Sequence, residues 1–162
     1  MNRDLVGKKS DPQTFEYSWK DTILYALGVG TKADELEYLV ELRGPKVLPT
    51  FAVVPSFQSM VQVVGDLRLS NPLRALHGEQ KIVLHRPIPP QAKLTTVATI
   101  QGIYDKGKGA LVVVEAKTED EKKQPVFDNV FSVFCFVRPH LHLPRHLDPP
   151  QLCHARQPAG GQ

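Results

Sequence analysis

Four strand-like segments follow one another through the second half of the chain, and they constrain its fold more than any other feature. They span residues 80–86, 94–104, 110–118 and 128–137, and turn residues such as the Asp-Lys-Gly-Lys-Gly run at 105–109 separate them. Alternating apolar and β-branched residues predict strands, and the turn residues between them predict hairpin connections. We therefore expect a largely antiparallel sheet.

An apolar segment before these strands has the spacing of a helix that begins near Pro55 or Ser56. Its large apolar residues lie three or four positions apart: Phe57, Met60, Val61 and Val64. A helix with this spacing buries one face, and the sheet is the surface available to cover it. The sequence therefore predicts an α+β fold in which an antiparallel sheet wraps around a long helix.

A shorter helix is predicted nearer the N-terminus. Ser18 and Asp21 form a capping-box pattern in which the serine hydroxyl accepts a backbone hydrogen bond, and Gly28 suits a left-handed helix end. Residues 37–42 fit either a strand or a helix. The Arg-Gly-Pro turn at 43–45 that follows them favours the strand.

The composition changes abruptly after Arg138. Residues 139–162 hold five prolines and four of the six histidines, with only four large aliphatic residues. Such a segment cannot bury enough apolar surface to offset the entropy of ordering it. We expect a flexible N-terminus over residues 1–12, one folded domain over 13–138, and a disordered tail over 139–162.

Charge and composition argue against several functions. The net charge is +3 without a Lys/Arg cluster, so nucleic acid is not an expected partner. No apolar run reaches the ~18 residues of a membrane span. No apolar stretch follows the charged N-terminus as in a secretory signal. Two cysteines do not make a disulfide framework, which favours a reducing intracellular compartment.

Five short sequence motifs of the chain, called phrases below, match motifs of a known enzyme family. Residues 21–30 read Asp-Thr-Ile-Leu-Tyr-Ala-Leu-Gly-Val-Gly. The other phrases, in the same order as in the family, are residues 47–51, 76–80, 86–89 and 105–110. Through them the chain resembles the MaoC-like, type-2 enoyl-CoA hydratases, whose members contain two hot-dog domains in tandem. It is similar to the amino-terminal domain only.

The resemblance implies a single hot-dog fold and a place in fatty-acid β-oxidation. Family members hydrate trans-2-enoyl-CoA to (3R)-3-hydroxyacyl-CoA in peroxisomes and some bacteria. Their amino-terminal half shapes the space for the acyl chain, so an acyl-CoA thioester is the expected ligand, and no cofactor is implied. The candidate acyl-CoA-binding residues are Pro49, Thr50, Phe51, Phe57, His77 and Gly78.

The carboxyl-terminal half of the family carries Gly-Asp-x-Asn-Pro-x-His, whose Asp and His position and activate water. That motif is absent from this sequence. Asp66 and His77 are weak catalytic candidates, because they lie eleven residues apart whereas the family's pair lies five apart. We therefore expect no hydration by the chain unaided. Two alternatives remain: a homodimeric hydratase or thioesterase with another acid/base pair, and a truncated, non-catalytic interaction product.

A lone amino-terminal half would leave a sheet edge and apolar surface uncovered, which predicts a homodimer or pairing with a catalytic hot-dog domain. Glu115 and Lys117 would weaken such pairing if their strand were the edge.

The end of the chain bears on localisation and metal binding. The resemblance implies an intracellular, peroxisomal location, but the chain ends without a Ser-Lys-Leu-type signal, so a cytoplasmic location is the alternative. The potential zinc ligands at this end lie among prolines that offer no scaffold, so we interpret them as incidental and expect no metal site. These residues are His140, His142, His146, Cys153 and His154.

Overall fold

Five antiparallel strands and three α-helices make up the part of the chain that the computed structural model describes, residues 3–67 and 74–136. The strands are β1 Gln13–Tyr17, β2 Ala75–Leu84, β3 Ala92–Asp105, β4 Gly109–Glu119 and β5 Pro125–Phe136. The α-helices are α1 Trp19–Gly28, α2 Leu36–Leu39 and α3 Val53–Gly65. Short 3-10 helices lie at Arg3–Leu5, Glu41–Arg43 and Pro49–Ala52. The tail predicted over 139–162 lies outside the described residues.

The strands are ordered β1-β3-β4-β5-β2 in the sheet, so β2 pairs with β5 and not with β3, the next strand in sequence. Hairpins join β3 to β4 and β4 to β5, as predicted, but the hairpin expected between β2 and β3 is absent. Residues 87–90 include three prolines, which lack the N–H groups that a hairpin ladder needs. Glu115 and Lys117 lie on β4, inside the sheet, and therefore do not guard an edge.

Helix α3 lies over β3 and β4 and supplies one wall of the main core. Its buried side chains include Met60 and Val63, which belong to the same cluster as Val112 and Phe131. The buried face includes Met60 and Val64, as predicted, but not Phe57 or Val61. The helix turns Ser56 and Ser59, which are fully buried, toward the strands, whereas Phe57 is 51% exposed and Val61 is 41% exposed. Small hydroxyl side chains permit this close approach because they find hydrogen-bond partners in the sheet.

A buried hydrogen-bond network ties the start of α3 to the sheet. The Asn129 amide donates to the Ala52 carbonyl at 3.0 Å and to the Ser56 hydroxyl at 2.9 Å. Its Oδ1 accepts from Gln80 Nε2 at 2.7 Å. Ser56 also donates to the Ala52 carbonyl and lies 3.4 Å from the Thr118 hydroxyl. Asn129 is fully buried, so every one of these partners offsets the cost of removing its amide from water.

The flexible N-terminus over residues 1–12 stays a prediction; among its described residues, 7–10 hydrogen-bond along β3. The backbone N–H groups of Gly7 and Ser10 donate to the carbonyls of Ile100 and Ala98, both at 2.8 Å. The Ser10 hydroxyl accepts from the Ala98 N–H at 3.0 Å. These hydrogen bonds satisfy backbone groups of β3 in line with β1.

Helix α1 begins where the sequence predicts. The Asp21 carboxylate accepts from both the backbone N–H and the hydroxyl of Ser18 at 2.8 Å, and the predicted capping box is present. These hydrogen bonds hold the pKa of Asp21 below its ordinary value. Gly28 ends the helix, but the left-handed residue is Gly30, with φ of 94°.

The strand predicted for residues 37–42 is wrong, because this segment forms α2 and the 3-10 helix that follows it. Its backbone groups find local partners: Val40 N–H donates to the Leu36 carbonyl at 3.0 Å. The Lys46 N–H donates to the Glu37 carbonyl at 2.7 Å, which folds the segment back on itself. Local bonds of this kind leave no ladder for a strand partner.

The turn between β4 and β5 is organised by Asp120. One carboxylate oxygen accepts the backbone N–H groups of Lys122 and Gln124 at 2.8 and 2.9 Å. The other accepts from Arg86 at 2.6 Å. The Gln124 backbone hydrogen bond is the largest cause of a lowered pKa at Asp120. The turn therefore holds Arg86 in place just beyond β2.

We predict that Asn129→Ala lowers the free energy of unfolding by about 2–4 kcal/mol, because it leaves buried acceptors and the Gln80 amide without their partner. Urea unfolding followed by circular dichroism measures this. Gln101→Ala is the control, since Gln101 is exposed and its amide bonds only to Glu115 at the surface. Equal losses in the two variants would contradict the role given to Asn129.

We predict a pH-dependent loss of stability in Asp120→Asn. The carboxyl pKa is lowered in the folded state, so its stabilisation is present above the ordinary value of 3.8 and is lost as pH falls through the folded pKa. The difference in melting temperature from the wild type should be largest near neutral pH and should shrink in acid. Asp105→Asn in the other hairpin turn controls for net charge. An undiminished difference in acid would refute the prediction.

Candidate ligand-binding site

A pocket of about 620 Å³ opens where the end of β2 meets the segment between α2 and α3. Its apolar lining residues are Tyr38, Val47, Pro49, Leu84, Pro87 and Ile88. Its charged or titratable lining residues are Lys46, His85 and Arg86. A mainly apolar concavity with a few polar groups at its margin is the usual form of a small-molecule site.

The inner side of the pocket rests on a second hydrophobic cluster. Ile88 is 5% exposed and belongs to this cluster with Tyr17 and Phe51, while Val47 packs against it. The Phe51 ring lies 5.0 Å from the Tyr17 ring and 5.4 Å from the Tyr25 ring, between centroids. This packing gives the pocket a rigid apolar support.

The hydroxyl of Tyr17 holds the proline-rich wall of the pocket. It donates to the Pro89 carbonyl at 2.8 Å. Burial raises the pKa of this hydroxyl well above its ordinary value, so it is protonated and able to donate at neutral pH. The bond anchors the segment from Pro87 to Pro89 onto the second cluster.

Each charged group of the pocket has an acidic partner. Lys46 Nζ lies 2.7 Å from Glu37, and this bond raises the pKa of Lys46. His85 Nε2 lies 3.0 Å from the Asp128 carboxylate. Arg86 is paired with Asp120, as described above. Because acidic partners offset the charges of Lys46 and Arg86, the apolar walls are the dominant property of the pocket.

The structure places only part of the predicted acyl-CoA-binding set at this pocket. Pro49 lines it, Thr50 is exposed next to Pro49, and Phe51 lies in the supporting cluster at 2% exposure. His77 and Gly78 lie on β2 at least six residues before Leu84, roughly 20 Å away along the strand. Phe57 is exposed on α3. Ligand binding by these residues remains a prediction.

The two weak catalytic candidates make separate contacts. Asp66 follows α3 and forms an ion pair with Lys8 at 2.9 Å. His77 Nε2 lies 3.0 Å from the Glu79 carbonyl, and its ring centroid is 5.7 Å from that of Phe131. Neither contact would orient a water molecule between Asp66 and His77. Asn71 and Pro72, which separate the candidates in sequence, lie outside the described residues.

The pair of His85 and Asp128 is a feature that the sequence did not single out. The two residues lie 43 positions apart, and they meet because β2 pairs with β5. A histidine whose one nitrogen faces a carboxylate is a common form of general base. No local signal could have joined them, since only the sheet register brings them together.

Metal and membrane sites find no support in residues 3–67 and 74–136. No group of three or more His, Cys, Asp or Glu side chains converges there to hold a metal. None of the helices in those ranges has the length and apolarity needed to cross a bilayer. The histidines and cysteine of the tail lie outside them.

Comparison with known proteins identifies relatives of this chain. The 3-hydroxyacyl-thioester dehydratase Y of Mycobacterium tuberculosis is 38% identical over 124 residues, covering 72% of this chain and 41% of that protein. The peroxisomal multifunctional enzyme type 2 of Mus musculus is 36% identical over 138 residues, covering 80% and 18%. The solved MaoC-like dehydratase of Phytophthora capsici has a TM-score of 0.72 at 25% identity, covering 93% of this chain and 57% of that one.

These matches confirm the predicted hot-dog fold, in which the antiparallel sheet wraps around α3. The chain spans less than half of the length of the curated relatives that it matches first. The family profile of the MFE-2 hydratase 2 N-terminal domain matches residues 15–137. The chain belongs to this family of hydratase 2 amino-terminal domains.

Proposed function

We propose that this chain is an acyl-holding hot-dog domain of the (3R)-specific trans-2-enoyl-CoA hydratase family, active in fatty-acid β-oxidation, and that it does not hydrate its ligand unaided. The observation that carries the proposal is the apolar pocket of about 620 Å³ beside the start of α3. Burying a fatty-acyl chain there is favourable by about 0.8 kcal/mol for each CH₂ group removed from water. The coenzyme A part of the ligand remains outside the pocket.

The lack of catalysis follows from the residues at the start of α3. Residues 49–56 read Pro-Thr-Phe-Ala-Val-Val-Pro-Ser and contain no acid or base. Hydration requires a base that takes a proton from water and an acid that protonates the α-carbon, both within hydrogen-bond reach. The family's Gly-Asp-x-Asn-Pro-x-His motif, which supplies such a pair, is absent from the sequence.

A second hot-dog domain is part of this proposal, because a catalytic pair has to come from elsewhere. The partner is either a catalytic hot-dog domain or a second copy of this chain. We also propose a peroxisomal setting. The mouse relative is named a peroxisomal enzyme, which supports this compartment.

One observation favours a second candidate function, a homodimeric hydratase or thioesterase. His85 lines the pocket, and the carboxylate of Asp128 holds one nitrogen of its ring at 3.0 Å. The other ring nitrogen is therefore available to accept a proton from a water near a bound thioester. In this reading Asp128 stabilises the imidazolium that forms, and His85 is the general base.

We predict that a long-chain acyl-CoA raises the melting temperature of the chain and that Leu84→Glu abolishes the rise, because a charge on an apolar wall opposes entry of the acyl chain. Differential scanning fluorimetry with palmitoyl-CoA and with free coenzyme A measures the acyl-dependent part. Leu24→Glu is the matched control, since Leu24 is 69% exposed on α1 and does not line the pocket. The same rise with free coenzyme A would contradict acyl binding. No rise at all would favour the non-catalytic interaction product.

We predict no turnover of crotonyl-CoA above background by the purified chain, measured by loss of enoyl-thioester absorbance. Thiol release from the same substrate tests for thioesterase activity. Activity that His85→Ala abolishes would replace the proposal by the second candidate. Activity that instead depends on His77 would promote Asp66 and His77 to a catalytic pair. Both histidines are exposed, so neither variant should impair folding.

A further inference from the structure

The pocket floor, residues 87–90, belongs to the segment that joins β2 to β3. Of the nine described residues that line the pocket, Ile88 alone is buried, and the other eight are half-buried or exposed. Ile88 therefore lies deepest, and the more exposed lining residues form the margin. A ligand has to reach Ile88 in order to use the whole depth of the pocket.

The pocket floor has few hydrogen bonds of its own. Residues 87, 89 and 90 are prolines, which have no N–H group to donate. Within residues 3–67 and 74–136, no backbone–backbone hydrogen bond involves the floor, and the last one before it runs from the His85 N–H to the Val126 carbonyl at 3.0 Å. The floor is therefore held by the side-chain packing of Ile88 and by a hydrogen bond from a side chain.

That hydrogen bond comes from Tyr17, which reaches the floor from behind. Tyr17 ends β1 and pairs with Ala92, the first residue of β3, so it stands close to the end of the floor. Its hydroxyl donates to the carbonyl of Pro89, the residue after Ile88, at 2.8 Å. Its ring is 5% exposed and lies 5.0 Å from the Phe51 ring, between centroids. One side chain thus joins the floor to the 3-10 helix that leads into α3.

The ring and the hydroxyl of Tyr17 have separable effects. The ring supplies apolar packing in the second cluster. The hydroxyl supplies one hydrogen bond, and without it the half-buried Pro89 carbonyl has no donor among the described residues. Loss of the hydroxyl therefore leaves the cluster packed but frees the floor. A ligand that touches a freed floor has to order it on binding, which lowers the affinity.

We propose that Tyr17 determines the chain-length preference of the pocket: its hydrogen bond to Pro89 fixes the floor around Ile88 and thereby favours long acyl chains over short ones. This inference rests on the proposed acyl-holding function and names the part of the acyl group that is recognised, its far end. Tyr17 acts through the floor and is a positioning residue. A short acyl chain, which does not reach Ile88, is indifferent to it.

Tyr17→Phe tests the proposal, because it removes the hydroxyl and keeps the ring. We expect it to raise the dissociation constant of palmitoyl-CoA about two- to tenfold, the range that the net contribution of one hydrogen bond allows. The constant of butyryl-CoA should stay unchanged. Isothermal titration calorimetry of the full chain measures both. Tyr104→Phe is the matched control, because Tyr104 is a half-buried tyrosine at the far end of β3 from Ala92 and does not line the pocket.

The motion of the floor gives a second readout that needs no ligand. Methyl relaxation measured by NMR should show a lower order parameter for the Ile88 δ1 methyl in Tyr17→Phe, and no change in Tyr104→Phe. The methyl of Ile100, which is fully buried in the main core, should keep its order parameter in both variants. A role of Tyr17 limited to fold stability would lower the melting temperature and weaken both ligands by the same factor.

Three results would overturn the proposal: a Tyr17→Phe chain with the wild-type ratio of the two dissociation constants, an Ile88 methyl that is as rigid as in the wild type, or a Tyr104→Phe chain that loses the ratio equally. A wild-type chain that binds both acyl-CoAs equally, and more tightly than free coenzyme A, also refutes it while the acyl-holding function stands. A wild-type chain that binds palmitoyl-CoA no more tightly than free coenzyme A contradicts that function itself.

Discussion

The side-chain amide of Asn129 joins three parts of the fold: the start of α3, the interior of the sheet and the edge strand β2. Its NH₂ group is committed to the Ala52 carbonyl and the Ser56 hydroxyl, and its oxygen to Gln80. A buried amide that loses these partners is not compensated by water. These hydrogen bonds fix the start of α3 on the sheet. They therefore also fix Pro49, which lines the pocket and lies three residues before Ala52.

The end of β2 and the rest of the strand have different surroundings. At one end of β2, the proline segment and the cluster around Phe51 support an apolar pocket whose charged margin is neutralised by acidic partners. Along the strand itself, β2 forms one edge of the sheet and pairs with β5 alone among the described residues, with a β-bulge between His77 and Glu79. The proposed acyl-holding role, in a chain without an acid or base at residues 49–56, fits a domain that works beside a second hot-dog domain.

Much of the fold could be predicted, because its elements carry local signals. The alternation in β3, β4 and β5 and the spacing in α3 are properties of neighbouring residues, and the five phrases point to the hot-dog family, which the comparisons confirm. The strand prediction for residues 37–42 was wrong because a short apolar run fits the spacing of a strand and that of a helix. The exposure of Phe57 was missed because the buried serines of α3, which are polar by type, are satisfied only by the sheet.

What the sequence by itself determined is the set of elements, the family and the absence of the catalytic motif, since each depends on residues close together in the chain. Only the tertiary structure decided that β2 pairs with β5 and not with β3, the next strand in sequence. That pairing brings His85 to Asp128, exposes the edge around Gln80 and separates His77 from the pocket. These outcomes depend on strand order and register, which are set by burial and hydrogen bonding between residues far apart in sequence and therefore leave no local pattern.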